Sequence, residues 1–162
     1  MKKVLGSLVL FGVLATGGIS HAEDLNLAPE DISEECFDAS RAGDNEILIE
    51  CYKDAIKIYQ QHGDYDGVYW AKEMIGNFYS NLKDYKNAEK YYIEALEGAK
   101  KIGNKRVEAG AYSGLGYIYE KKGDKKKAKE YYTNAYNNYK AAGDKVNAEY
   151  TLKLIKKLNK SK

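Results

Sequence analysis

The chain has 162 residues, of which 44% are hydrophobic and 31% charged, with one proline and a formal net charge of +2. That composition suits one folded domain or a short repeat array and excludes collagen-like, Pro-rich and generally disordered chains. Two Cys and two His are too few for zinc-finger or His-cluster metal sites, so no metal or cofactor is expected.

The first 22 residues read as an address. Lys2 and Lys3 are followed by an apolar run from Val4 to Ile19, and Ser20-His21-Ala22 puts small residues at the −3 and −1 positions of a cleavage site. This is the three-part pattern of a secretory signal peptide, with cleavage expected after Ala22. The apolar run is short of the ~20 residues a spanning helix needs, and no later stretch is apolar enough to span a membrane. Residues 23–162 then carry 24 basic and 24 acidic side chains. A neutral total implies no nucleic-acid partner. The charge is unevenly placed: residues 23–67 hold 13 Asp/Glu against 3 Lys/Arg, and residues 121–162 hold 13 Lys against 4 Asp/Glu. An acidic front and a basic tail are expected. The protein is expected to be exported, to the periplasm first and the medium as the alternative.

Along the rest of the chain the apolar residues recur at spacings of three and four, and no run alternates with period two. The periodicity predicts helices near 30–42, 45–62, 66–82, 85–102, 105–122, 125–142 and 145–159. Two-residue breaks separate them: Gly43-Asp44, Gly63-Asp64, Lys83-Asp84, Gly103-Asn104, Gly123-Asp124 and Gly143-Asp144. Gly supplies a left-handed cap, and Asp or Asn then caps the next helix. Breaks this short make antiparallel hairpins. The hairpins repeat with a period of 40 residues, which relates Tyr52, Tyr92 and Tyr132, Ala55, Ala95 and Ala135, and Gly76 and Gly116.

Within each unit the pattern reads Ile75-Gly76-Asn77-Phe78-Tyr79, then Ala88, Tyr92 and Ala95. One period later it reads Leu115-Gly116-Tyr117-Ile118-Tyr119, then Ala128, Tyr132 and Ala135. This resembles the tetratricopeptide repeat family, in a 40-residue variant of its usual 34-residue period. The resemblance implies an all-α solenoid over residues 23–162, with units at 29–68, 69–108 and 109–148 and a capping helix at about 145–159. The first unit is degenerate, with Glu35-Cys36 in place of Leu-Gly. Lys156 stands at the glycine position of the last helix, which suits a cap.

The family binds extended peptides or helices in a concave groove lined by the first helix of each pair. Carried over position by position, that implies Trp70, Glu73, Asn77 and Asn81 from the second unit, Ser113, Tyr117 and Lys121 from the third, and Tyr150, Lys153 and Lys157 from the last helix. Trp70 and Tyr117 are the leading anchors, since large aromatics dominate hot spots. Packing over the degenerate first unit is the other reading of Trp70. The family's clamp for a terminal carboxylate is absent: of its positions only Asn77 matches, and Met74, Gly110, Gly114 and Leu154 do not.

Cys36 and Cys51 lie on the two helices of the first unit. Export favours a disulfide between them, with two buried thiols as the alternative. No catalytic residues are expected. His62 is the only histidine after Ala22 and has no nucleophile in an elbow motif, and no Gly-rich phosphate loop follows a strand. The expected function is a non-enzymatic protein–protein scaffold or adaptor of the bacterial cell envelope, with a protein partner. The alternatives are a structural module that self-associates head to tail through its charged ends, and a secreted effector acting on host proteins.

Overall fold

The computed structural model describes residues 34–160. The expected signal peptide at 1–22 and the first residues of the first unit lie outside them. The described residues form seven α-helices: α1 (Glu34–Ala42), α2 (Asn45–His62), α3 (Tyr65–Asn81), α4 (Tyr85–Ile102), α5 (Lys105–Lys121), α6 (Lys125–Ala141) and α7 (Lys145–Lys160). The fold is all-α, and no helix among them is long and apolar enough to cross a membrane.

The two-residue breaks do the turning. The backbone N–H of Asp44, Asp64, Asp84, Asn104, Asp124 and Asp144 reaches back to a carbonyl five residues earlier, at 2.9–3.0 Å. Each of those side chains then accepts a backbone N–H from the first turn of the next helix: Ile47 at 3.1 Å, Gly67 at 2.9 Å, Asn87 at 3.1 Å, Val107 at 3.0 Å, Lys127 at 3.0 Å and Asn147 at 3.0 Å. One residue thus closes one helix and opens the next, satisfying donors that would otherwise be orphaned.

The preceding residue must be left-handed, and Gly43, Gly63, Gly103, Gly123 and Gly143 are, with φ between 70° and 80°. Lys83 stands at the same place in the third break with φ 61°, where an L side chain costs about 1–2 kcal/mol.

Consecutive helices pack antiparallel in a chain from α1 to α7, and α3 also packs on α5. No pair of even-numbered helices makes a contact of comparable extent. Here α3 and α5 are therefore drawn together as an inner layer, with α4 outside them, which curves the stack there and makes the α3–α5 side concave.

Glycines fix how close the layers come. A Cβ on Gly76 would lie 2.7 Å from Cδ1 of Tyr92, and one on Gly116 2.6 Å from Cδ1 of Tyr132. The same contact thus recurs one period on, with each tyrosine ring lying on bare helix backbone. In the first unit Cys36 replaces the glycine. It is joined to Cys51 by a disulfide with Cα atoms 6.0 Å apart, which ties the nine-residue α1 to α2 beside the buried Tyr52. Tyr52 meets Trp70 edge-on at 5.6 Å and Phe78 at 5.3 Å, joining the first unit to the second.

Replacing the one strained break residue should stabilise the whole array. Lys83→Gly is expected to raise unfolding stability by about 1 kcal/mol, read as a higher urea midpoint at unchanged slope.

Candidate protein-binding groove

On α3 and α5, side chains about one turn apart stand in rows along the concave face. Glu73 of α3 meets α5 where it has no side chain. Glu73 lies across Gly110, whose Cβ would fall 2.1 Å from Oε1. Tyr92 comes up from α4 between Gly76 and Gly114 and is 2% exposed. A Cβ on Gly114 would lie 2.2 Å from its Cζ. Its hydroxyl lies beneath the groove and donates to Oδ1 of Asn77 at 2.7 Å. One unit on, the Tyr132 hydroxyl donates to Oε2 of Glu120 at 3.0 Å, and the other oxygen of Glu120 pairs with Nζ of Lys157 at 3.5 Å. The floor is thus held from beneath by outer-layer tyrosines reaching through glycine gaps.

The two halves of the groove differ. At the α3 side, Glu73 keeps some contact with solvent but is surrounded by protein, as a group at the bottom of a concavity is. Desolvation raises its pKa to about 8, against an opposing pull from Arg106. Desolvation and then the Glu73 charge also raise the phenols of Tyr92 and Tyr139. At the α5–α7 side the groove is open and basic. Tyr117 is 38% exposed and Tyr150 59%. Lys121 places Nζ 5.1 Å from the centre of the Tyr117 ring, and Tyr85 meets that ring edge-on at 6.5 Å. Lys153 and Lys157 are exposed and Ser113 is half-buried.

Two of the ten candidate positions point elsewhere. Trp70 is half-buried and packs with Tyr52 and the cores on either side of it. Asn81 donates to Oδ1 of Asn45 at 3.2 Å, at the start of α2. Two groove groups were not among the sequence candidates. Arg106 stands in the first turn of α5, before the carried-over positions begin. Glu120 lies three residues beyond Tyr117 on the same face, and that spacing was the available signal.

Stacked helix pairs with an inner layer of polar and aromatic side chains define an α-solenoid with a binding groove. Residues 67–141 match the model of the family described as "Tetratricopeptide repeat". Among solved structures the chain is similar to the crystal structure of BtubC (BKLC) from P. vanneervenii. The two are 25% identical with a TM-score of 0.50, over 75% of this chain and 59% of that one. No curated protein matches the chain. As a family, these repeats are protein-interaction modules and generally not enzymes.

Because its folded-state pKa is raised, Glu73 contributes stability that is complete below its ordinary value of 4.5 and lost as pH rises toward 8. The protein should therefore lose stability across that window. Glu73→Gln, neutral throughout, should remove a loss on the order of 2 kcal/mol, after allowing for residual solvent contact. Urea unfolding of both proteins at several pH values checks this.

Proposed function

We propose that this protein is an exported scaffold or assembly adaptor of the bacterial cell envelope that binds a segment of a partner protein in its concave groove. The carrying observation is that Tyr117, Lys121, Tyr150 and Lys157 stand open to solvent beside a floor of Asn77 and Glu73 over the Tyr92 hydroxyl. Tyrosines with a rigid base and a polar tip offer contact area at low entropic cost, and the lysines at one end give a docked segment a direction. The rigid helices preform this surface, so the ordering cost falls on the partner. Export is supported by the three-part pattern of residues 1–22 and by the paired Cys36 and Cys51, which suit an oxidising compartment.

Crosslinking in intact cells, followed by periplasmic extraction and mass spectrometry, tests both parts. The expected result is a chain beginning at Glu23 with a partner captured by the wild type and lost from a folded Tyr117→Ala, Tyr150→Ala variant. The same partners with both proteins would remove the groove assignment. Recovery from the medium, with host proteins captured, would favour a secreted effector.

A further inference from the structure

We propose that the protein associates with itself head to tail, the acidic first unit of one copy docking on the basic face of α7 of the next. The two surfaces lie at opposite ends of the stack and have opposite charge. Residues 34–67 hold nine Asp/Glu and three Lys/Arg, whereas residues 121–160 hold twelve Lys and four Asp/Glu.

At the tail, α7 packs on α6, and its far side meets no further helix among the described residues. Lys153, Lys156, Lys157 and Lys160 stand along one exposed face of α7. Lys157 pairs with Glu120; among the described residues no carboxylate pairs with the other three. Val146 is 64% exposed on the same helix, so the end presents apolar area as well as charge.

At the head, Glu46, Glu50 and Asp54 are exposed one turn apart along α2. Lys53 and Lys57 pair with Glu50 and Asp54 at 2.7 Å, but these are exposed pairs of little strength. The net charge of the unit stays negative. The Cys36–Cys51 disulfide holds α1 to α2, so the head docks as a fixed hairpin. A repeat array ends in a helix whose outer side lacks the neighbour every internal helix has, and an arriving hairpin supplies one. Head-to-head and tail-to-tail contacts bring like charges together, so a two-fold dimer is disfavoured. The contact is heterologous and extends into rings or filaments.

Sedimentation velocity tests this on the purified protein. At low salt the weight-average mass is expected to rise with concentration over tens of micromolar. It should fall to the monomer near 0.5 M salt, where the Debye length is only about 4 Å. A tail variant (Lys156→Glu, Lys160→Glu) and a head variant (Glu46→Lys, Glu50→Lys, Asp54→Lys), each of wild-type helicity, should be monomeric alone. Mixing them should restore association, because every contact again joins opposite charges. A wild type that stays monomeric at low salt, association indifferent to salt, or association retained by both variants alone would overturn the proposal. The groove variant Tyr117→Ala with an otherwise intact surface should associate as the wild type does, which separates this contact from groove binding.

Discussion

The contact between a tyrosine ring and a bare stretch of neighbouring helix is the constraint on which the rest of the structure depends. Tyr92 lies against Gly76 and Gly114, and Tyr132 against Gly116, at distances that leave no room for a Cβ. Each ring is almost fully buried, and burial of a side chain of this size is worth roughly 1.5–3 kcal/mol. The hydroxyl at its far end requires a partner, and it finds one on the opposite side of the inner layer, at Asn77 or Glu120. One side chain therefore sets the spacing between layers and also furnishes the groove. Phenylalanine at these two positions would pack, but would leave Asn77 and Glu120 without the hydroxyl.

The same economy marks the breaks between helices. Six Asp or Asn residues each close one helix and cap the next, so two residues suffice to reverse the chain. Short breaks leave the array little freedom to change its curvature, and the groove inherits that rigidity. On the outer side, Tyr119 donates to Glu89 at 2.8 Å and Glu89 pairs with Lys122 at 2.5 Å. Lys72 pairs with Glu94 at 2.8 Å. These ties join α4 to α5 and α3 to α4 across the surface, so adjacent hairpins are linked by polar contacts as well as by the core.

The fold was legible because its determinants are local. Helix periodicity, Gly-Asp breaks and the 40-residue spacing lie in the sequence itself, and the seven helices follow them closely. The groove was legible only as far as helix phase reaches. Phase places Glu73, Asn77, Ser113 and Tyr117 on the inner helices, but it does not reveal that Gly110 seats the Glu73 carboxylate or that Arg106 acts on it. Those facts depend on how deeply two helices approach, which a spacing pattern does not encode. Trp70 shows the same limit. Its helical position suits the groove, but the first unit has lost its glycine to Cys36, and the indole packs against Tyr52. Lys83 is the converse case: its break was plain from position, and its left-handed backbone is visible only in the structure.

The most direct measurement is the stability of Gly76→Ala by urea unfolding. In an ordinary helix interior, replacing glycine by alanine gains about 1 kcal/mol. Here the new methyl would meet the buried Tyr92 ring at 2.7 Å, so the account predicts a loss of about 2 kcal/mol from overpacking, together with perturbation of the Asn77 side-chain amide signals in NMR spectra. A gain near 1 kcal/mol with those signals unmoved would contradict it, and would mean that the tyrosine–glycine contact does not set the spacing of the layers.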